Sequence, residues 1–475
     1  MSKTEETPLG IELPSTLHDI LMNTPELAQA RLVGGCVRDA LLGTPSKDID
    51  VEVFGVTYET LIQALDRHGA TDLVGRSFGV VKLTLPDGMV VDFSVPRRDS
   101  HVGPGHQGFV VEVDPSLSPR DAAARRDFTI NALSWDPRRR VVVDHFGGLR
   151  DLEARVLRHT SDAFGEDPLR VLRGMQFAAR FGMTAAPETL EICRSIKDTY
   201  HDLSIERVRE EWFKWATKGR HPSHGLRFLR DSGWLEHFPE LAAMVGVEQD
   251  PQWHPEGDVW AHTLFCLDAL VELPEWEGAD EERRIVWAFA VLLHDVGKPT
   301  TTDRVRDDEG RMRIVSPGHD QAGGPLAIAF MERIGSPSAF PPRVAVLVVE
   351  HMAHLQAQSS TAVRRLSSRL RPESIHSLGV IIRADHFGRP PLPREVPEKL
   401  VAMLERAEAL AVASSAPKRI LEGRHLMELG WTQGRVIGVA IRAAYEAQLA
   451  GEFDDLDGAM GWIRNHPELG HPPSN

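Results

Sequence analysis

VGGCVRDALLGTPSKDIDVEVFG, residues 33–55, strings together a glycine pair, a helix carrying Arg38 and Asp39, a turn, and a strand bearing Asp48 and Asp50. Residues two apart in a strand share a face, so Asp48 and Asp50 present paired carboxylates to one side while Ile49 and Val51 turn to the core. Mg²⁺ favours one or two carboxylates plus substrate phosphates, and two such ions clamp the attacking and leaving oxygens of an in-line phosphoryl displacement. Gly34 and Gly35 let backbone N–H groups approach a triphosphate at the helix start, and Arg38 adds a fork donor one turn in. Either DxD or GG alone is common in surface turns. The whole string at this spacing is not.

Around this segment, from about Ser15 to Asp144, helical stretches alternate with short β-rich runs such as GVVKLTLPDG (79–88) and MVVDFSVP (89–96), which predicts an α/β or α+β layer. After Asp151 strand signals nearly vanish and helical patterns take over. The first 14 residues, with Pro8 and Pro14, read as a flexible lead-in. RPPLPREVPEK (389–399) reads as a linker, and a last helical module follows. At 475 residues the chain is long enough for two to four domains. Three scattered cysteines give no disulfide framework, no window approaches a membrane span, and the polar, acidic N-terminus lacks a signal-peptide pattern. A cytoplasmic protein is expected. Its net charge of −15 argues against non-specific coating of nucleic acid, so any nucleic-acid site is local, and neither DNA nor membrane is an expected partner.

Three further stretches continue the pattern: RRDFTINALSWDP (125–137), FGEDPLRVLRGMQFAARFG (164–182), and the pair WHPEGDVWAHT (253–263) and LLHDVGKP (292–299). With residues 33–55, and in this order, they resemble the bacterial class II tRNA nucleotidyltransferases, the CCA-adding enzymes and poly(A) polymerases, with an appended HD domain. The resemblance runs from about residue 30 to at least 390. It implies a multidomain chain: an α+β nucleotidyltransferase head with a small mixed β-sheet (15–160), an all-α neck that binds RNA (161–250), an all-α HD phosphohydrolase domain (255–390) and a helical tail (400–475). The implied substrates are ATP, CTP and the 3′ end and acceptor stem of tRNA. A homodimer is left open.

By this resemblance Gly35 and Arg38 hold the triphosphate, Asp48 and Asp50 ligate Mg²⁺, Asp92 orients or deprotonates the attacking 3′-hydroxyl, and Arg126 contacts the nucleotide. Asp127 either touches a ribose hydroxyl or anchors its loop. Asp167, Arg170 and Arg173, three apart, line one helix face. Cytosine and adenine both present an exocyclic amino donor beside a ring-nitrogen acceptor, so an accepting Asp167 and a donating Arg170 match C and A and oppose U and G. Gln176 stands where family members commonly carry a further arginine, which loosens the inference about the bases added. Poly(A) synthesis or A-only addition would use the same motifs.

Between Arg194 and Arg230 nine Lys and Arg face five Asp and Glu, a balance opposite to that of the whole chain and suited to an RNA acceptor stem. Trp212, Phe213 and Trp215 within it are expected in the core. Farther on, His262, the pair His294 and Asp295, and Asp385 follow the order H…HD…D. His319 and His351 fall where two-metal members carry extra ligands, and Lys298 is positioned to face a substrate phosphate. Imidazole with carboxylate suits Ni²⁺, Co²⁺ or Mn²⁺ activating a water toward a phosphoester, and the resemblance implies a phosphatase or cyclic phosphodiesterase reaction. His254 and His354 are read as structural or peripheral. The reading of another class is an HD phosphohydrolase whose head only senses nucleotides.

Overall fold

Alternation of apolar and polar residues in three short runs gives one sheet two unlike faces. The computed structural model describes residues 4–44, 48–72, 79–101 and 109–470. In it β1 (Glu5–Pro8), β2 (Ala30–Val33), β3 (Ile49–Val53), β4 (Ala70–Asp72), β5 (Val80–Thr84) and β6 (Val90–Ser94) precede a separate hairpin of β7 (Arg97–His101) and β8 (Phe109–Val113). β9 (Ser134–Asp136) and β10 (Val141–Asp144) then complete an eight-stranded mixed sheet, in the order β1-β10-β9-β2-β3-β6-β5-β4. Val51, Val53, Val81, Leu83, Val91 and Phe93 are wholly buried in one core with Leu17 and Leu21 of helix Ser15–Asn23 and Leu61 and Leu65 of helix Tyr58–Leu65. Each such side chain contributes about 1.5–3 kcal/mol of burial. By strand alternation Asp50, Glu52, Lys82 and Asp92 share the opposite face.

The chain divides into two compact units, Met1–His237 and Phe238–Asn475. In the first, helix Leu169–Phe181 packs on helices Ile205–Lys218 and Pro222–Asp231. Trp212 and Trp215 are buried there, as expected of core residues. In the second, helices Val259–Glu272, Glu281–Leu293, His319–Arg333, Phe340–Glu350 and Ile375–Phe387 form the body. Helix Glu398–Ala409 packs onto it, and a separate small core gathers Leu421, Leu426, Ile437 and Ile463. No helix among the described residues is long and apolar enough to cross a membrane.

Three expectations are corrected. The lead-in is not free: β1 pairs with β10, and the Trp135 indole donates to the Leu9 carbonyl at 2.8 Å, because the open edge of β10 offers backbone groups that a neighbouring chain can satisfy. The helical remainder also holds strands, the parallel pair β11 (Val156–Leu157) and β12 (Thr184–Ala185) and the hairpin β13 (Asp303–Arg306) and β14 (Met312–Val315). Finally, Asp48 lies just ahead of β3 rather than on it. The turn expected after Gly43 extends into residues 45–47, outside the described residues.

Candidate active sites

On the polar face of the sheet, Asp50 of β3 stands in register with Asp92 of the parallel β6, and Asp92 with Lys82 of the antiparallel β5. Lys82 Nζ lies 3.2 Å from Asp92 Oδ2. Burial raises the Asp50 carboxyl above its ordinary value, Arg126 opposes this, and Asp92 and Asp48 add to it. Like charges crowded on one face favour a cation, so the donor set fits a hard divalent ion. Gly34 has φ +74, and a Cβ there would sit 2.7 Å from Arg126 Nη1, so only glycine lets that guanidinium lie against the chain.

A cavity of about 570 Å³ brings together Gly35, Arg38, Asp50, Arg126, Asp167, Arg170 and Arg173. Asp48 and Asp92 are not among the residues that line it. Several arginines are tied within the protein. Arg38 is 3% exposed, bonds Asp39 and Asn131, and lies over the Phe177 and Phe181 rings. Arg173 grips Asp127 Oδ2 at 2.7–2.8 Å. Asp127 also accepts from the Phe128 N–H and from Asn131 Nδ2, so it anchors its loop. Gln176 is buried.

The expected helix stripe is corrected as well. The helix begins at Leu169, and Asp167 precedes it in extended backbone because Pro168 follows. Asp167 accepts from the Leu169 N–H at 3.1 Å and from Arg207 at 2.9 Å. Arg170 donates to the carbonyls of Ala163 at 2.6 Å and Arg125 at 2.7 Å. Each keeps capacity to spare: a carboxylate offers about four acceptor positions and a guanidinium five N–H groups. Asn131, Phe177, Lys82 and Arg207 went unread as members of this site. Only Lys82 left a direct signal, a cation at a polar position of an alternating strand.

Asp127 makes one consequence measurable. Burial acts to raise its carboxyl, but Arg173 and Asn131 outweigh it and hold it below the ordinary range. Asp127→Ala is expected to cost about 2 kcal/mol at pH 7, less than the roughly 3–5 kcal/mol of a fully buried pair because the Arg173 side chain is 35% exposed to water. A depressed carboxyl stabilises the fold above its unfolded value of about 4, and that contribution is lost as pH falls through the lower native value. The difference in urea midpoint between parent and variant therefore shrinks only below about pH 4.

In the second unit the ligand types converge at helix ends. His294 and His351 directly follow helices Glu281–Leu293 and Phe340–Glu350, where orphan carbonyls are available. Their Nδ1 atoms bond the carbonyls of Val291 at 2.7 Å and Val348 at 2.6 Å, and His319 Nδ1 bonds that of Ser316 at 2.7 Å. His262 Nδ1 lies 2.7 Å from Glu256 Oε1. Carbonyl and carboxylate oxygens only accept, so each Nδ1 carries a proton and Nε2 is the nitrogen turned to the cluster. Burial acts to lower His262, but Cys266, Asp385 and Glu256 outweigh it and raise that ring well above the ordinary imidazole value, so it carries a second proton which a metal ion would displace. These nitrogens face one another: His262 Nε2 is 3.3 Å from His294 Nε2, and His319 Nε2 is 3.2 Å from His351 Nε2. Imidazole nitrogens gathered this closely beside carboxylates are the donor types of a transition-metal site, so the residues fit metal ions.

Carboxylates complete two clusters. Asp385 Oδ1 is 3.2 Å from His262 Nε2, Asp295 Oδ2 is 3.3 Å from His294 Nε2, and Asp295 Oδ1 is 3.4 Å from His319 Nε2. Asp295 thus reaches both clusters, and all six expected ligands meet around it. Gly297 permits this approach, since a Cβ there would come within 2.1 Å of the His319 carbonyl oxygen. Burial and His294 push His351 down to about 4, keeping it a neutral ligand. Lys298, expected to face a phosphate, is instead held by Asp295 and Gln249, each at 2.7 Å. Glu256 was missed. Burial acts to raise its carboxyl, but hydrogen bonds to His254 and His262 bring it to about 2. His254, read as structural or peripheral, orients it at 2.9 Å.

Family models match in the expected order: "Poly A polymerase head domain" over 30–158, "Probable RNA and SrmB- binding site of polymerase A" over 182–245, and "HD domain" over 259–389. The "Multifunctional CCA protein" of Hahella chejuensis is 37% identical over 76% of this chain and 82% of its own length. That of Xanthomonas campestris pv. campestris is 35% identical over 88% and 97%. The fold is that of the Bacillus stearothermophilus CCA-adding enzyme in its complex with CTP, at a TM-score of 0.63 and 18% identity over 96% of this chain and all of that one. With a nucleotidyltransferase head, a helical body and an HD domain in one chain, and more than a third of the aligned residues identical to such relatives over most of their length, this protein belongs to the multifunctional CCA protein family.

Proposed function

We propose that this chain builds or repairs the 3′-terminal CCA of tRNA from CTP and ATP without a template, and that its HD centre hydrolyses phosphoesters. For the head, the observation that carries the reading is Asp50 in register with Asp92 on the sheet's open face, at the edge of an arginine-lined cavity. Mg²⁺ held by Asp48 and Asp50 would neutralise charge on the triphosphate and lower the pKa of the attacking hydroxyl. Asp92, steadied by Lys82, orients the 3′-hydroxyl of the RNA and accepts its proton. Gly35, Arg38 and Arg126 receive the triphosphate, and Arg173 braces the Asp127 loop beside it. Pyrophosphate leaves as the new phosphodiester forms.

Asp167 and Arg170 select the base through the acceptor and donor positions they keep free. Arg207 fixes the Asp167 carboxylate and so sets its reach. Lys218 and Arg220, exposed on the helical neck, suit RNA phosphates. The experiment is incubation with tRNA ending before CCA and each labelled NTP in turn. The expected result is two CMP followed by one AMP. ATP incorporation alone, or long A tails, would overturn the reading. In the same assay Asp167→Ala is expected to lower discrimination against UTP and GTP by about 100-fold, because the amino group of C or A loses its acceptor.

At the HD centre His262, His294, Asp295 and Asp385 would hold one transition metal ion, and Asp295, His319 and His351 a second. Ni²⁺, Co²⁺ or Mn²⁺ there would supply a nucleophile from water at neutral pH. Phosphatase and 2′,3′-cyclic phosphodiesterase reactions are the activities this donor set suits.

A further inference from the structure

The cavity over the HD centre, about 660 Å³, extends past the metal-binding residues to a second group of polar side chains. Of its three Lys and Arg, two are already engaged: Lys298 with Asp295, and Arg389 with Asp385 at 3.2 Å. Lys399 is exposed and, among the described residues, has no ion-pair partner. It comes from helix Glu398–Ala409, beyond the HD match, which is anchored by the fully buried Leu400, Met403 and Ala407. Gln358 Nε2 fastens that helix by donating both to the Lys399 carbonyl at 3.2 Å and to the His354 carbonyl at 2.6 Å.

His354 borders the same cavity. It is 2% exposed, yet among the described residues its Nδ1 has no hydrogen-bond partner of good geometry. An unmatched buried nitrogen costs about 1–3 kcal/mol, which a ligand group bonded to it would recover. His386, with its ring 5.6 Å from that of His354, lines the cavity too. Trp253, 56% exposed, and Leu355 supply apolar walls on which a nucleoside can rest.

We propose that Lys399, with His354 and His386, forms a second anion subsite in this cavity, for a substrate phosphate other than the one that is cleaved. The substrate class is then a nucleotide with two phosphates. Two sources share that chemistry: an RNA 3′ end, whose terminal nucleotide carries a phosphodiester on its 5′ side, and a free nucleoside bisphosphate. The proposal rests on the phosphohydrolase reading above.

The test compares three substrates on the full chain with Mn²⁺, Co²⁺ or Ni²⁺: adenosine 2′,3′-cyclic phosphate, its 5′-phosphorylated form, and the dinucleotide ApA ending in a 2′,3′-cyclic phosphate. Lys399→Ala is expected to lower the ratio of kcat/KM for the two-phosphate substrates over the one-phosphate substrate by about tenfold or more, the scale of one charge-assisted hydrogen bond, and Lys399→Arg to restore it. Loss confined to the dinucleotide assigns the subsite to RNA ends, whereas loss for both assigns it to any second phosphate. An unchanged ratio overturns the proposal. Calorimetric affinity for adenosine 3′,5′-bisphosphate, measured against 3′-AMP, separates the two readings. If the parent hydrolyses nothing but Lys399→Ala still weakens bisphosphate binding about tenfold, the subsite stands and the phosphohydrolase fails. If that affinity does not change, the subsite fails.

Discussion

Asp50→Ala is expected to lower nucleotide addition to tRNA by about 10³-fold or more while leaving HD phosphoester hydrolysis intact. The magnitude follows from the several kcal/mol of charge stabilisation a metal-holding carboxylate supports, at 1.36 kcal/mol per factor of ten. Stability is expected to move the other way. Burial, together with Asp92 and Asp48, raises the Asp50 carboxyl despite Arg126, so the ionised group opposes folding at neutral pH. Asp50→Asn should therefore match or exceed the parent in thermal midpoint while being nearly inactive. Single-turnover addition of CMP to tRNA ending before CCA, read beside a melting curve, tests both. A variant retaining a tenth of the parent rate would remove Asp50 from the chemistry.

How far the sequence reached can be judged residue by residue. The carboxylates and imidazoles were legible because their chemistry restricts them: DxD entering an alternating strand and H…HD…D between helical runs have few other uses in combination. The edge strand Glu5–Pro8 was not legible, since nothing in EETP favours a strand except the open partner at β10. Asp167 was misplaced by a helix period carried one turn too far through Pro168. Asn131, Arg207 and Glu256 escaped notice for a common reason. Each acts by holding another site residue across 40 or more positions of chain, or across a loop, and no local pattern records such a partnership. Motif and spacing marked the residues that meet at the two candidate sites more readily than those that hold them in place.

Asp295→Asn is expected to abolish phosphoester hydrolysis, by about 10³-fold or more, and to leave nucleotide addition unchanged. Among the described residues Asp295 is the one whose two oxygens approach both clusters: Oδ2 toward His294 and His262, Oδ1 toward His319 and His351. Asparagine keeps the volume but replaces one oxygen with an amide that can only donate, turning a bridge into a ligand for at most one cluster. Metal content should fall from about two transition ions per chain to one or none, a readout independent of turnover. The thermal response follows by mass action. An ion at 100 times its dissociation constant stabilises the folded chain by about 2.7 kcal/mol, so added Mn²⁺, Co²⁺ or Ni²⁺ should raise the parent's midpoint and that of the variant much less. A variant that still binds two ions and hydrolyses at the parent rate would show that the paired imidazoles alone hold the metals, and that Asp295 is placed between them to neutralise Lys298.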